Sequence, residues 1–220
     1  MLVNRFSHIV VRRSSKIQKE VGLNAFEYQS KRVLDILVSC VAIFISCPLF
    51  LIAAIAIKLD SPGPIIFRQR RRGFNAQEFV IFKFRTMTVL EDGPIVTQAC
   101  QNDLRVTRIG KYLRRSSLDE LPQLFNVLRG DMSLVGPRPH ALAHDDEYRV
   151  HIREYVCRYN VKPGITGWAQ VNGLRGETAS FKQMADRVKL DQWYIYNWSI
   201  VLDLVIMLRT SFEVLRGRAY

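Results

Sequence analysis

Between Ile36 and Ile57 the chain carries 22 consecutive residues without a charge, bounded by Asp35 and Lys58. A helix of that length is enough to cross the hydrocarbon core of a bilayer. Two features oppose a simple span. Pro48 lies at the centre of the run, where a missing amide and a ring clash kink or break a helix. Basic residues stand on both flanks, Lys31 and Arg32 before the run, Lys58 and the cluster from Arg68 to Arg72 after it. The positive-inside rule then places both flanks on the cytoplasmic side. A helix that enters one leaflet, bends at Cys47-Pro48 and returns satisfies both features; a straight span is the alternative.

The rest of the chain has to serve this membrane element. A net charge of +12 and a pI near 9.9 call for an anionic partner: nucleic acid, lipid headgroup or phosphorylated substrate. Nothing reads as a zinc finger, an RNP box or a basic heptad region, and nucleic-acid binding leaves the membrane segment unexplained. Cys40 and Cys47 lie in the apolar run, Cys100 and Cys157 stand alone, and no pair has metal spacing, which fits a reduced cytoplasmic setting. Residues 1–30 are mixed and basic and read as a loosely ordered arm without the chemistry of a cleavable signal peptide. Residues 31–60 form the membrane helix. The cluster Asp60-Ser61-Pro62-Gly63-Pro64 marks the boundary to a globular part, residues 61–220.

Within that part, Ser116 to Pro139 (SSLDELPQLFNVLRGDMSLVGPRP) concentrates the chemistry. Ser117 and Glu120 have capping-box spacing, and Leu121, Leu124, Phe125 and Leu128 follow with helical period, so Asp119 and Glu120 are expected in or beside a first helical turn. The helix dipole and the preceding Arg114 and Arg115 favour ionised carboxylates there. Ionised acids can attack phosphorus or bind magnesium; alternatively, Glu120 only completes a cap and Asp119 only complements the dipole. Pro137 and Pro139 flank Arg138 and preorganise one cation. In FVIFKFRTM, Lys83 and Arg85 share a strand face, where they can hold a phosphate or diphosphate, or merely snorkel.

Other segments carry weaker signals. Residues 91–105 read as a loop, Arg105 to Leu113 as a short amphipathic helix, and Tyr148 to Tyr159 as a helix ended by Lys162-Pro163-Gly164. His140 and His144 have helical metal-ligand spacing, but surface histidines of a helix are the better reading for want of a third ligand. The small residues of GITGWAQVNG can bring backbone amides to a ligand or simply make a structural turn. Trp193, Tyr194, Tyr196 and Trp198 precede an apolar stretch, Ile200 to Leu208, that is too short and, with Asp203, too polar to span. An interfacial helix with an aromatic belt is preferred there to a buried core helix.

Taken in order, KRVLD at Lys31, KFRTM at Lys83, KYLRRSSLDELPQLFNVLRGDMSLVGPRP and KPGITGWAQVNG at Lys162 resemble the bacterial sugar transferases, the monotopic polyprenyl-phosphate hexose-1-phosphate transferases. The resemblance runs from about Gln29 to the C-terminus and fits the short, catalytic-core form. PHALAH at Pro139 and the segment from GLRGET onward are most similar to the undecaprenyl-phosphate glucose phosphotransferases.

The resemblance implies an α-dominated monotopic membrane protein. A re-entrant N-terminal helix would carry a compact cytoplasmic catalytic domain with interfacial amphipathic helices and little sheet, on the cytoplasmic face of the bacterial inner membrane. It implies an enzyme, a phosphoglycosyltransferase of exopolysaccharide or other surface glycan synthesis. Hexose-1-phosphate, glucose-1-phosphate by the weaker signals, would pass from a UDP-sugar to undecaprenyl phosphate with release of UMP. Asp119 would be the nucleophile and Glu120 would hold magnesium, Mg2+, with Asp119 beside it. Lys83, Arg85, Arg114 and Arg138 are the candidates for phosphate and nucleotide contacts. The expected partners are UDP-sugar, undecaprenyl phosphate and membrane lipids, with no nucleic acid; a homodimer is admitted as its assembly. The competing reading is a non-catalytic, membrane-anchored anion-binding scaffold, which keeps the basic face but has no need of an intact acid pair.

Overall fold

The apolar run is helical in the computed structural model of the chain, which describes residues 25–89, 103–176 and 180–215 together with positions 92, 97 and 100. Helix α1 (Ala25–Asp60) contains Pro48, and helical backbone continues through it rather than dividing into two helices. Next to the proline, the Ser46 hydroxyl donates to the Ala42 carbonyl at 2.5 Å, a back-bond that bends helices. The buried positions Asp35, Ser39, Ser46, Ala53 and Ile57 are spaced by fours and sevens, so a single stripe faces the protein along the whole helix. The opposite face exposes Leu37, Val41, Phe44, Ile45, Leu51, Ile52, Ile55 and Leu59, with Phe44 and Leu59 each 83% exposed. Of the basic arm expected at residues 1–30, positions 1–24 lie outside the described residues; α1 is described from Ala25.

Beyond α1 the protein is mostly helical with little sheet. Strand β1 (Ile66–Arg72) pairs antiparallel with β2 (Glu78–Phe84), Phe67 opposite Lys83. Thr107 caps α2 (Arg108–Arg115), its hydroxyl accepting from the Gly110 amide. A 3-10 turn, Leu118–Glu120, leads into α3 (Gln123–Arg129), which ends on Gly130 at φ +91°, the left-handed stop that glycine makes cheaply. Strand β3 (Ser133–Val135) pairs in parallel with β4 (Gly164–Thr166); between them lie α4 (Leu142–His151) and a 3-10 stretch, Arg153–Asn160. The helix expected from Tyr148 to Tyr159 is thus broken at Ile152, whose extended backbone separates two shorter pieces. Short α5 (Trp168–Val171), α6 (Phe181–Tyr196) and α7 (Ile200–Leu215) complete the order. Most of the loop expected at 91–105 lies outside the described residues.

The glycines of GPRP and GITG explain why β3 and β4 can meet. A Cβ on Gly164 would lie 2.1 Å from the Gly136 nitrogen, and one on Gly167 would lie 2.3 Å from the Gly136 carbonyl oxygen. Backbone touches backbone, and only glycine permits it. The small residues of this motif therefore join two chain segments, as the structural-turn reading has it.

One core lies between α1, α3 and the C-terminal helices: Ile81, Leu124, Val127, Met132, Leu134, Val135, Tyr194, Ile195 and Ile206, with Val38, Ala42 and Ile43 of α1 packed on it. A second forms from Tyr148, Ile152, Tyr155, Tyr159, Met184 and Val188. A third gathers Ala53, Ile57, Phe84 and Leu113 beneath the far half of α1. Polar bonds reinforce both ends of α1. Lys31 donates to Asp203 at 2.5 Å and to the Val135 carbonyl at 3.1 Å. Arg32 donates to the Val127 and Leu128 carbonyls at 2.5 and 2.7 Å, closing the end of α3. Asp35 accepts from the Ser133 hydroxyl and the Leu134 amide. At the other end Asp60 accepts from the Ile109 amide at 3.0 Å, and Arg85 donates to the Ser61 carbonyl at 2.6 Å and to that of Pro62.

Arg85 is therefore a helix cap, a cation set against the carbonyl end of the α1 dipole. Replacing it with methionine removes the hydrogen bonds to these part-buried carbonyls, at a cost of about 1–3 kcal/mol. We expect Arg85→Met to lower the melting temperature of the detergent-solubilised protein markedly while leaving nucleotide affinity in the folded fraction unchanged. Weakened nucleotide binding with an unaltered melting temperature would assign the residue to a ligand instead.

Candidate active site

A carboxylate removed from water needs cations and hydrogen-bond donors to stay ionised, and Glu120 has them from three separate segments. Lys83 of β2 reaches Oε1 at 3.0 Å. Arg138 makes a two-pronged contact, Nη2 to Oε1 and Nη1 to Oε2, the latter at 3.2 Å. Arg175 stands 4.0 Å from Oε2. Burial alone would push Glu120 up, but the charges of Arg138 and Lys83 outweigh it and hold its carboxyl well below the usual carboxylate range.

The neighbouring acid behaves differently. Asp119 is just as buried, yet among the described residues no group donates a hydrogen bond to its carboxylate. Burial, followed by the adjacent Glu120 charge, pushes Asp119 up to about 6 against the opposing charges of Lys83, Arg138 and Arg114. Two adjacent acids are thus divided: Glu120 is a fixed anion, and Asp119 is an unengaged carboxylate that is mostly ionised at neutral pH.

The backbone that presents them departs from the expected capping box. Ser117 is left-handed at φ +58° and makes no side-chain cap, and Pro122 rather than Ser117 precedes α3. The Ser117 hydroxyl instead accepts from Arg175 Nη2 at 2.7 Å. The acids consequently lie in a 3-10 turn between α2 and α3, beside the first turn of α3 rather than in it. Leu118 and Leu121 on either side of the pair pack on the cluster of Ala53, Ile57, Phe84 and Leu113, which seats the turn on residues of α1, β2 and α2. Asn126, fully buried, accepts from the Phe82 amide at 2.9 Å and donates to the Val80 carbonyl at 2.7 Å. That clip sets the strand bearing Lys83 beside the helix that follows the acids.

Of the residues singled out in the sequence, Asp119, Glu120, Lys83, Arg114 and Arg138 are brought together. Arg85 is not; it is buried on the α1 cap. Arg175 was missed as a site residue, though a cation between Gly173 and Gly176 offers the same signal as an arginine between two prolines. His140 is no surface residue of a helix. It precedes α4 and packs between Arg158 and Arg187, its Nδ1 2.7 Å from the Tyr155 hydroxyl. Burial and four surrounding arginines hold it neutral. Among the described residues no three metal-ligating side chains of His, Cys, Asp or Glu come together. The pair Asp119 and Glu120 still suits a hard cation of the magnesium kind, which takes one or two carboxylates and completes its shell with phosphate and water. Oε1 of Glu120 already accepts from two cations, and Oε2 keeps a lone pair.

The family model described as bacterial sugar transferase matches residues 26–217. Over 180 residues the chain is 57% identical to the UDP-glucose:undecaprenyl-phosphate glucose-1-phosphate transferase of Caulobacter vibrioides, covering 82% of this chain and 67% of that protein. A protein of the same name from Escherichia coli is 51% identical over 183 residues, 83% of this chain and 39% of its own length. The exopolysaccharide production protein PSS of Rhizobium leguminosarum bv. phaseoli is 45% identical over 195 residues, 86% of this chain and 98% of that protein. The chain thus spans about two thirds of the first relative and about two fifths of the second.

The division between the acids can be measured directly. Carboxyl 13C spectra, assigned with Asp119→Asn, should give Asp119 a midpoint near 6, while Glu120 stays ionised throughout that range. Lys83→Met removes the largest cationic influence on Asp119 and should raise its midpoint further. A midpoint that falls or stays fixed in Lys83→Met contradicts the ring of charge.

Proposed function

The chain belongs to the bacterial sugar transferase family, and from that premise we propose that it transfers glucose-1-phosphate from UDP-glucose to undecaprenyl phosphate, releasing UMP and starting a surface polysaccharide. The observation that carries this reading is the unengaged Asp119 carboxylate beside a Glu120 held by Lys83, Arg138 and Arg175. Both substrates are phosphate anions, so the barrier is largely one of charge and position. A surplus of cations answers it. The names of the Caulobacter and Escherichia relatives support the sugar and the lipid acceptor.

In the proposed first half, an Asp119 oxygen attacks the phosphorus that bears the sugar. The bond from that phosphorus to the bridging oxygen breaks, and UMP leaves with the bond's electron pair. The sugar phosphate is then an acyl phosphate on Asp119. In the second half, an oxygen of undecaprenyl phosphate attacks the same phosphorus and Asp119 is regenerated. A nucleophile that splits one displacement into two lowers each barrier. Lys83, Arg114 and Arg138 draw the diphosphate to the turn, and Glu120 keeps Lys83 and Arg138 aimed there. Asp119 and Glu120 would hold magnesium, which when bound neutralises the charge accumulating on the phosphate oxygens. A scaffold without catalysis has no use for a buried acid held in this way.

For the membrane, we propose the re-entrant arrangement at the cytoplasmic face. A helix spanning a hydrocarbon core of about 30 Å puts its ends on opposite sides. Here Lys31, Arg32 and Asp35 near one end and Asp60 at the other bond to one polar domain, which supports both ends on one side. Outward apolar residues of α7, Val201, Leu204, Val205, Leu208 and Phe212, support an interfacial placement of that helix. Cysteine probes at residues 28 and 62 should label from the same side of sealed vesicles. Labelling from opposite sides would reinstate the straight span.

The chemistry is tested by withholding the lipid. Wild-type protein given UDP-glucose labelled in the sugar should acquire label and lose it when undecaprenyl phosphate is added, while Asp119→Asn never acquires it. Appreciable transfer by Asp119→Asn would sink the assignment.

A further inference from the structure

Arg138 can bind Glu120 in two-pronged fashion only if its backbone is fixed, and the turn that carries it has few means of its own. Pro137 and Pro139 lack amide donors, so the turn is held through its carbonyls. The Pro137 carbonyl accepts from the Gly164 amide at 3.0 Å, that of Pro139 from Arg71 at 3.1 Å, and that of Arg138 itself from Arg158 Nη2. Arg158 is in turn held by a buried countercharge: its Nε donates to Asp191 Oδ2 at 2.9 Å, both side chains being at most 5% exposed. Its guanidinium also lies 4.8 Å above the Tyr155 ring.

We infer that Arg158, braced by Asp191 of α6, is a positioning residue that acts through the Arg138 backbone to aim the Arg138 guanidinium at Glu120. This rests on the transferase reading only for its effect on turnover. The fork of a guanidinium suits the task, since Nε and Nη2 hold separate N–H groups at fixed positions and can bond a carboxylate and a carbonyl together. A lysine ammonium is a compact point charge and cannot reproduce both contacts at fixed geometry. As mere cement the pair is a poor choice, because a buried ion pair contributes little net stability over an apolar pair of the same volume. Arg158 and Asp191 make no contact with either acid, so any influence on chemistry must pass through the turn.

The test is a double-mutant cycle on the full chain in detergent micelles, with UMP release from UDP-glucose and undecaprenyl phosphate as readout. Arg158→Lys should lower kcat/KM about 10- to 100-fold, the range for partners that orient a site residue. In an Arg138→Lys background, where the two-pronged contact is already lost, the same change should matter within about twofold. Val188→Ala, a core change on the same helix as Asp191, serves as the benchmark for plain destabilisation. Losses of equal size in both backgrounds overturn the inference. A second readout needs no turnover: amide exchange across residues 136–142 should be about tenfold faster in Arg158→Lys and Asp191→Asn than in Val188→Ala at matched melting temperature. Equal exchange also overturns it. If wild-type protein releases UMP from no UDP-sugar, the transferase reading fails by itself, and the exchange comparison still decides the role of Arg158.

Discussion

A single buried carboxylate, Glu120, imposes more order on this protein than any other group. Its charge cannot stay out of water unpaired, since removing one partner of a buried ion pair costs about 3–5 kcal/mol. Its partners come from distant parts of the chain: Lys83 from a strand, Arg138 from a turn between prolines, Arg175 from a glycine-flanked segment. Much of the surrounding architecture can be understood as what brings these three to one place. Asn126 clips β2 to α3. Gly136, Gly164 and Gly167 let β3 and β4 touch, which sets Arg138 and the segment leading to Arg175 on adjoining backbones. Arg71 and Arg158 hold the turn from behind.

The attachment of α1 obeys a second rule, that the end of a helix must find donors for its carbonyls. Arg32 of α1 closes the end of α3, and Arg85 closes the end of α1. These two caps, with Asp35 on β3 and Asp60 on α2, make an apolar helix part of a polar domain. Its outward face stays apolar and exposed, while the stripe from Asp35 to Ile57 stays with the protein.

These two rules also explain what the sequence made legible. The apolar run, the acid pair, Lys83 and Arg138 could be read because each depends on local composition or on near neighbours. The mostly helical character came with the family resemblance that these motifs carry. The role of Arg85 could not, since alternation in FVIFKFRTM places it on one face with Lys83, whereas the strand ends at Phe84 and the next side chain turns toward the α1 carbonyls. Capping-box spacing at Ser117 misled in a similar way: its hydroxyl is engaged by Arg175, and Leu118 and Leu121 pack on a cluster that includes Ala53 and Ile57, partners far away in sequence. His140 was misplaced because its surroundings come from Arg158 and Arg187, residues 18 and 47 positions on.

Placing the acids beside α1 has a chemical consequence under the proposed reaction. An acceptor with a polyprenyl tail cannot leave the bilayer without exposing apolar surface to water, at about 0.8 kcal/mol for each CH2. The enzyme must therefore bring its nucleophile to the membrane surface. Leu118 and Leu121, which bracket Asp119 and Glu120, pack on the cluster that Ala53 and Ile57 of α1 form with Phe84 and Leu113, and Phe125 one turn later meets Phe50 of α1 at 5.7 Å. The apolar residues that fix the acids are thus the ones that join the catalytic turn to the membrane helix. Packing and reach are then a single property, since loosening this contact would both disorder the turn and draw it away from a phosphate that has to stay at the interface.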